Sequence, residues 1–344
     1  MKPSKQILLE LDARFVFRVD ASPAIGVGHV MRCVAIAESV ADLGFETVFV
    51  GTTSQIGWVE DQIDSVSGVT RATSELDFTI SEGRDVLIID SYEIEPESMF
   101  INDTRWLAKA AIVDSSTPDY IVDIYIHPGP NFGWNLPNAA ADAKVLIGTQ
   151  YIPIRKSISE LKRPQFVSGN QRVITIVAGG TDPTNFIEEF VPLLESTTID
   201  FNGRIFTSTK KLILKDSRFS QRRPDSNLEA SFLESDIVFT TGGTTAWEVA
   251  SLGIPMGIAQ AVENQYQNYK YFSENNLAVG IGSYSKLAQE WNFNLESIFS
   301  LISSEKANLE MVENQLSLSI SHGSQRIVSD LIRQITLMAQ NWKQ

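Results

Sequence analysis

The chain has 344 residues, of which 43% are hydrophobic and 20% charged, a composition typical of a globular protein of two domains. It carries 28 Lys and Arg against 42 Asp and Glu, so its formal net charge is −14. Such a surface repels nucleic acid and anionic lipid, and an anionic small substrate must therefore be held by local donors. We expect no nucleic-acid partner and no stable membrane insertion, because no apolar run approaches the roughly 20 residues that span a bilayer.

The N-terminal segment and the cysteine count indicate a location. Residues 1–15 lack the apolar core and the small-residue cleavage site of a signal peptide. Cys33 is the only cysteine, so no internal disulfide can form. Both observations favour the cytoplasm, and the sequence carries no signal for an oligomeric state.

Apolar runs alternate with helical stretches in the first half of the chain. The first run, RFVFRVD at 14–20, is followed by glycines and by an apolar-periodic helix from about Val30 to Leu43, which Gly44 is expected to end. This alternation predicts a parallel sheet covered on both faces, in an N-terminal α/β domain over 14–155. Further strands are predicted at 45–51, 85–90, 110–116 and 123–129.

A polar segment with two prolines, 149–171, interrupts this pattern and is interpreted as an interdomain connection. A second strand–helix series follows and is assigned to a C-terminal domain over 168–325, and a final helix over 326–344 is expected to pack back on the N-terminal domain. Two doubly wound α/β domains that face each other form a cleft at the carboxyl ends of their strands, so this is the predicted architecture. The strands predicted in the second domain are 172–180, 203–209, 236–243, 255–260 and 278–283.

The turn after the first strand, Gly26-Val27-Gly28-His29, is the first candidate site. Glycines let the backbone approach a ligand, and the helix N-terminus offers free amides and a partial positive charge. That charge favours the neutral imidazole that a general base requires, and Arg32 lies on the same helix face. The alternative is that His29 caps the helix and that Arg32 is a surface charge. The third glycine of the dinucleotide fingerprint is missing.

The segment VAGGTDPTN, 177–185, is the first of two glycine-rich turns in the second domain. Gly180 and Thr181 directly follow a strand, where their polar groups are placed to contact a ligand. The alternative is an ordinary turn between a strand and a helix, capped by Thr181 or Asp182, and this turn taken alone favours that interpretation.

The second of these turns leads into a helix that opens with two threonines. The amides and hydroxyls of Gly243, Thr244 and Thr245 can cradle a phosphate. Glu248 lies one turn beyond Thr244, where a carboxylate can accept two hydrogen bonds from a ribose diol; the alternative is an exposed helix glutamate. Two further residues begin the next helix and are candidates for binding a sugar or phosphate edge: Asn264 and Gln265.

Two strand ends and the interdomain connection carry further polar candidates. Tyr92 follows Asp90 at the end of one strand and is a candidate for substrate contact. Asp114 ends the next strand, where a hydrogen-bonding role in the sheet is an equal alternative to ligand contact. Arg155, in the interdomain connection, is a weaker candidate for contacting the substrate. No His, Cys, Asp or Glu cluster has metal-ligand spacing, and His127 has no such partner nearby, so we expect neither a metal nor a cofactor.

The segment RVDASPAIGVGHVMRCVAIAESV, 18–40, resembles the opening of the PseG/SpsG-type nucleotide-sugar hydrolases of bacterial pseudaminic acid biosynthesis. Later segments resemble that family's motifs in the same order: IIDSYEIE, KVLIGTQYIPIRKSI, VAGGTDPTN and SDIVFTTGGTTAWEVASLGIP. The resemblance spans roughly residues 14–280. Its first motif is specific, whereas the last is shared with GT-B glycosyltransferases such as MurG.

The resemblance implies a GT-B fold, with two Rossmann-like domains and the active site between them. It implies hydrolysis of UDP-2,4-diacetamido-2,4,6-trideoxy-β-L-altropyranose to UDP and the free sugar, with inversion and without a metal. The family's catalytic histidine corresponds to His29, and its nucleotide-binding block corresponds to Gly243, Thr244, Thr245 and Glu248.

Two positions depart from the family pattern: Glu95 stands where Asp is usual, and Lys156 where Pro is common. With these departures hydrolysis is still expected, but the sugar could be another 2,4-diamino sugar. One alternative is a GT-B glycosyltransferase, which would use the same donor with an acceptor hydroxyl in place of water. Another is a nucleotide-sugar-binding protein without catalysis. A UDP-GlcNAc 2-epimerase fits less well, because G-x-G-H-x-x-R is not its usual opening.

Overall fold

The computed structural model describes residues 4–22, 26–53, 56–114, 116–131, 133–163, 171–207, 212–223 and 227–342. The chain divides into two compact units, of which the first comprises Met1–Lys156 with His322–Gln344 and the second comprises Ser157–Ser321. Within the described ranges, no helix combines the length and the apolar character needed to span a bilayer.

The first unit is built on a sheet of seven strands: β1 (Arg14–Val19), β2 (Glu46–Val50), β3 (Val69–Ala72), β4 (Asp85–Asp90), β5 (Ala108–Ile112), β6 (Ile124–Pro128) and β7 (Lys144–Gly148). Their order is β3-β2-β1-β4-β5-β6-β7, and every neighbouring pair is parallel. The helices before and between them are α1 (Ser4–Glu10), α2 (Gly28–Ala41), α3 (Gly57–Asp64) and α4 (Met99–Asn102).

The second unit repeats this plan with β8 (Arg172–Val177), β9 (Phe201–Phe206), β10 (Phe219–Arg222), β11 (Ile237–Thr241), β12 (Met256–Gln260), β13 (Val279–Ser285) and β14 (Glu290–Phe293). Their order is β10-β9-β8-β11-β12-β13-β14, parallel except for the antiparallel pair of β13 with β14. The helices are α5 (Lys156–Ser159), which crosses the division, α6 (Phe186–Glu195), α7 (Leu228–Glu234), α8 (Thr244–Ser251), α9 (Tyr266–Glu274), α10 (Leu295–Ser303) and α11 (Glu305–Ser317).

The last helix, α12 (Gly323–Trp342), belongs to the first unit and begins three residues earlier than the predicted 326. Its apolar side packs into the core that α2 shares with the sheet, through Ile327, Leu331 and Ile335. The Tyr151 hydroxyl donates to Asp330 Oδ2 at 2.7 Å and ties the helix to the chain that follows β7.

Both sheets have a switch point at their centre, where the strand order reverses. In the first unit this point lies between β1 and β4, and in the second it lies between β8 and β11. The connections that leave such a pair diverge to opposite faces of the sheet and open a crevice at the carboxyl ends, where ligands of doubly wound sheets bind. The three glycine-rich turns follow β1, β8 and β11, so each lies at a switch point.

All ten predicted strands are present, with ends shifted by a few residues. The helix predicted from Val30 begins at Gly28, and Gly44 takes the left-handed φ of +86° in the turn beyond its end. Four strands are not predicted from the sequence, and all four are the outermost strands of their sheets: β3, β7, β10 and β14. The residues from Ser157 to Arg163, interpreted as connection, group with the second unit, and the predicted start of the second domain at 168 lies outside the described residues.

Candidate functional site

His29 is the second residue of α2 and meets the end of β4. Its Nδ1 lies 2.5 Å from Oδ1 of Asp90, the last residue of β4. Asp90 pairs with Val19 at the end of β1, and α2 follows β1 closely, so the strand pairing brings the two side chains together. Both are buried, with 6% of His29 and 1% of Asp90 exposed. His29 therefore does not act as a helix cap, and in the described residues no side chain caps α2 at Val27.

Arg32 holds Asp90 from the other side. Its Nε donates to Oδ2 at 2.9 Å and its Nη2 donates to Oδ1 at 2.7 Å, which is the two-pronged geometry of a strong guanidinium–carboxylate pair. Burial would raise the pKa of Asp90, but the charge of Arg32 and the contact with His29 lower it below its usual range. The pairing with Asp90 shows that Arg32 is not the surface charge of the alternative interpretation, and its contact with substrate stays a prediction.

The position of the imidazole proton follows from these contacts. Nη2 of Arg32 lies 2.9 Å from Nδ1 of His29, and a guanidinium can only donate. The contact of Nδ1 with Oδ1 of Asp90 is shorter and ends on a carboxylate, so we assign the proton to Nδ1, where it is donated to Asp90. Nε2 then carries the lone pair, as a general base requires.

Tyr92 stands beside the imidazole. Its ring meets that of His29 edge to face, with centroids 4.4 Å apart and planes at 89°. Its hydroxyl donates to Oδ2 of Asp114, just beyond β5, at 2.5 Å. Burial raises the pKa of Tyr92, and the charge of Asp114 adds to this against the opposing effect of Arg32, so the phenol keeps its proton. The structure therefore brings together Tyr92, His29 and both strand-end aspartates.

The glycines of the first turn shape the entry to α2. Gly26 has a φ of +88°, and its amide donates to the carbonyl of Ser22 at 2.8 Å, which closes a short loop. Residues 23–25 of that loop, part of the segment that carries the resemblance, lie outside the described residues. Gly28 is the first residue of α2, so its amide is among those that a helix N-terminus leaves without an intrahelical partner.

Arg155 contacts helix α3. Its Nη1 donates to Oε1 of Gln62 in α3 at 3.1 Å, and the amide of the following residue, Lys156, donates to Oε2 of Glu38 in α2 at 2.7 Å. Glu38 lies nine residues beyond His29, about 13 Å along the helix. Arg155 and Lys156 thus fasten the connection onto α3 and α2, and the contact of Arg155 with substrate stays a prediction.

The two glycine-rich turns of the second unit are neighbours. Gly179 has a φ of +89°, and a Cβ placed on it would lie 4.0 Å from Oγ1 of Thr245. The Thr241 hydroxyl donates to the carbonyl of Ala178 at 3.2 Å and links the ends of β8 and β11. The switch point of this sheet is therefore lined by both turns.

Asp182 caps α6. Its carboxylate accepts hydrogen bonds from the amides of Phe186 at 2.7 Å and Ile187 at 2.9 Å. For Asp182, the structure therefore confirms the alternative interpretation, in which this residue caps the helix that follows the turn. Gly180 and Thr181 precede the cap and are half-buried.

Gln265 and Asn268 hold the turn that leads into α8. Oε1 of Gln265 accepts from the amide of Ala261 at 3.0 Å, and Nδ2 of Asn268 donates to the carbonyl of Gly242 at 3.0 Å. A Cβ on Gly242 would lie 3.0 Å from the carbonyl oxygen of Gln265, so this position has almost no room for a side chain. Gln265 is therefore engaged within the protein, whereas Asn264 is exposed. Asn268 is not predicted from the sequence, since nothing local marks a mid-helix amide as a loop contact.

Helix α8 begins at Thr244, with Gly243 before it, and no side chain in the described residues caps it. Its first amides are thus available to an anion, at the end where the helix dipole is positive. Thr244 and Thr245 are half-buried. Glu248 is only 4% exposed, so it is not the exposed helix glutamate of the alternative interpretation.

In the described part of the chain, no group of three or more His, Cys, Asp or Glu side chains is arranged to hold a metal ion. His127 is buried beside Trp134, with ring centroids 5.8 Å apart, and among the described residues its Nδ1 finds no hydrogen-bond partner. It lies near the end of β6, on the sheet face opposite to its neighbour Ile126, which packs into the α2 core.

Similar solved structures define the fold. MurG of Acinetobacter baumannii aligns with a TM-score of 0.60 at 14% identity, over 93% of this chain and 99% of that one. The spinosyn forosaminyltransferase SpnP aligns with a TM-score of 0.63 at 13% identity, over 94% and 99%. The chain therefore has the GT-B fold of two Rossmann-like domains that the resemblance implied.

No family model matches the chain. Among curated proteins, it is 27% identical over 209 residues to a processive diacylglycerol β-glucosyltransferase of Bacillus pumilus, which covers 55% of this chain and 52% of that protein. It is 23% identical over 279 residues to an uncharacterised protein of Methanocaldococcus jannaschii, over 73% and 56%. The chain thus matches about half the length of these relatives.

Proposed function

We propose that this protein is an inverting hydrolase of a UDP-activated diacetamido-trideoxy sugar, with His29 as the general base. The observation that carries the proposal is the row of Arg32, Asp90 and His29, in which the contact of Nδ1 with Asp90 leaves Nε2 as the proton acceptor of the imidazole. His29 and Arg32 lie within the segment that most specifically resembles the PseG/SpsG-type hydrolases, and Asp90 lies in the later motif IIDSYEIE. The substrate that this resemblance implies is UDP-2,4-diacetamido-2,4,6-trideoxy-β-L-altropyranose.

The second unit has the features of a nucleotide site. The uncapped start of α8, with the hydroxyls of Thr244 and Thr245, supplies donors for a diphosphate. Glu248, one helical turn further on, is assigned to the ribose hydroxyls. The same donors stabilise the charge that develops on departing UDP, a task that a metal ion performs in other enzymes, so we expect no metal requirement.

The first unit supplies the base. Nε2 of His29 takes a proton from water while the water oxygen bonds to the anomeric carbon, and the bond from that carbon to UDP breaks on the opposite side. Asp90 stabilises the imidazolium that forms, because its carboxylate accepts the Nδ1 proton. Arg32 keeps Asp90 ionised and oriented. A positioned general base typically contributes about 10²–10⁴-fold in rate.

A glycosyltransferase is the second candidate, and one observation favours it: a curated relative with an assigned activity is a glucosyltransferase. The same imidazole would then take the proton of an acceptor hydroxyl instead of water. A binding protein without catalysis is the third candidate. The paired and buried His29 argues against it, because mere ligand binding does not need an oriented base.

The test is UDP release with water as the only acceptor, followed by NMR that resolves the anomer of the free sugar. Wild type is compared with His29→Asn and with His322→Asn, which changes an exposed histidine outside the site. We expect inversion, a loss of about 10²–10⁴-fold in kcat for His29→Asn with an unchanged Kd for UDP, and no effect of His322→Asn.

Each other outcome selects an alternative. UDP release that requires an added hydroxyl acceptor identifies a transferase. Tight UDP binding without turnover under either condition identifies a binding protein or a different sugar. Loss of activity in EDTA that a divalent ion restores contradicts the role given to the α8 donors.

The single cysteine, Cys33, is buried and free, which fits the cytoplasmic location that we propose.

A further inference from the structure

Asp114 makes the only side-chain hydrogen bond described for the Tyr92 hydroxyl, and the proposed function gives Asp114 no role. We propose that Asp114 is a positioning residue that takes the hydroxyl proton of Tyr92, so that the phenol oxygen offers only lone pairs to a ligand beside His29. This inference rests on the proposed function, since it names the groups that the site beside the base accepts.

The direction of the hydrogen bond carries the proposal. A carboxylate is an acceptor only, so across the 2.5 Å contact the proton must come from Tyr92. Asp114 is itself held in place, because its Oδ1 accepts from the amide of Ser116 at 2.9 Å and from the Thr117 hydroxyl at 3.4 Å. A phenol has one proton, and once it is committed to Asp114 the oxygen can only accept from a ligand.

The same contact fixes the ring that lies against the base. Tyr92 touches His29 edge to face at 4.4 Å, and its hydroxyl end is held by Asp114. The ring is thus constrained at both ends, between the residues that follow β4 and those that follow β5. Loss of the hydrogen bond would free the ring to turn away from His29, and the imidazole would lose one wall of its pocket.

A specificity follows for the ligand. The group that meets the Tyr92 oxygen must be a hydrogen-bond donor, either an acetamido N–H or a hydroxyl of a sugar. A carbonyl or phosphate oxygen would face lone pairs and be rejected, because an acceptor against an acceptor leaves both unpaired. Tyr92 is therefore assigned to the sugar, not to the diphosphate.

A double-mutant cycle tests the inference. Tyr92→Phe, Asp114→Ala and the double variant are compared by kcat and KM, with Asp114→Asn as the conservative variant, since its amide oxygen can still accept from Tyr92. We expect about a tenfold or greater loss in kcat/KM for Asp114→Ala, partial recovery in Asp114→Asn, and no further loss when Asp114→Ala is added to Tyr92→Phe. The control is Ser116→Ala, which changes an exposed side chain in the same turn and keeps the backbone amide that holds Asp114; it should have an equal small effect in both backgrounds.

A second readout does not need turnover. The chain has three histidines, so the His29 imidazole signal is identified by its absence in His29→Asn. The nearby aromatic ring shifts this signal, so Asp114→Ala should move it in the wild-type background and leave it unmoved in the Tyr92→Phe background. Absence of UDP release from wild type would contradict the proposed function, while the NMR cycle would still decide the coupling. An equal effect of Asp114→Ala in both backgrounds, or the same shift from Ser116→Ala, would overturn the inference.

Discussion

Nδ1 of His29 and Oδ1 of Asp90 lie 2.5 Å apart, although the two residues are sixty-one positions apart in the chain. His29 lies in the first turn of α2, and Asp90 is the last residue of β4. Strand β4 pairs with β1, which directly precedes α2 in the chain. The contact between the two side chains decides which imidazole nitrogen holds a proton, and it therefore turns a histidine at a glycine-rich turn into an oriented base.

Asp90→Asn should abolish most of the activity while the protein still binds UDP. The asparagine cannot offset the charge of the imidazolium, and it can donate to Nδ1, which would place the lone pair on the wrong nitrogen. We expect a loss of about 10²-fold or more in kcat, with Kd for UDP within about twofold of wild type. The double variant with His29→Asn should be no slower than the slower single variant, because the two residues act as a unit. Retention of more than half the wild-type rate would rule out this role.

Arg32→Met should destabilise the fold. It leaves the buried Asp90 carboxylate without its guanidinium, and removal of one partner of a buried ion pair costs about 3–5 kcal/mol in the free energy of unfolding. The measurement is urea unfolding at neutral pH. The matched control is Arg105→Met, which breaks an exposed pair with Asp103 and should cost at most about 1 kcal/mol. Equal losses in the free energy of unfolding would mean that the pair of Arg32 with Asp90 stabilises the fold no more than the exposed pair does.

Gly242→Ala should weaken UDP binding. The added Cβ would lie 3.0 Å from the backbone carbonyl oxygen of Gln265, so the turn before α8 must shift. We expect about a tenfold or greater increase in Kd for UDP by calorimetry, because a shift of the α8 amides misaligns several donors at once. Gly57→Ala is the control, since Gly57 also begins a helix and a Cβ there meets nothing within 4 Å. Unchanged affinity in Gly242→Ala would separate this turn from the nucleotide site.

Protonation of His127 should make the protein less stable in mild acid. Burial lowers the pKa of His127 below its ordinary value near 6.5, so the unfolded chain binds the proton more readily than the folded protein. Its contribution is complete above about pH 6.5 and is lost as the pH falls through the lower folded-state pKa. Urea unfolding at pH 7.5 and at about pH 5.5 should show a smaller drop in His127→Phe than in wild type. His322→Phe, at an exposed position, should keep the full drop, and an equal drop in both variants would contradict the prediction.

The central strands of both sheets were predictable because burial on both faces leaves a local trace. In β4 all six residues are buried, and its sequence DVLIID is a nearly continuous apolar run. The unpredicted strands lie at the sheet edges, where one side of the backbone is unpaired and the side chains are partly solvated. In β3, VTRA, two of the four residues are exposed, so nothing in its pattern separates it from a loop.

The candidate site divides in the same way. The glycines and the histidine at the start of α2 are contiguous, and the threonines at the start of α8 directly follow their glycines, so a local pattern marks both. Asp90 and Asp114 appear in the sequence only as polar ends of apolar runs. By their positions in the chain, Arg32 and Arg155 are both plausible as cations that contact the substrate. The structure pairs Arg32 with Asp90 and Arg155 with Gln62 of α3.

The sequence alone therefore determined the alternation of strands and helices, the doubly wound class, the glycine turns and the position of His29 at a helix start, because each depends on residues close together in the chain. The tertiary structure alone decided that His29 meets Asp90, that Arg32 serves Asp90, that Tyr92 joins Asp114, and that Gln265 and Asn268 support the α8 turn. These contacts depend on which strands become neighbours, and the order β3-β2-β1-β4 arises from the packing of whole elements, which no local spacing encodes.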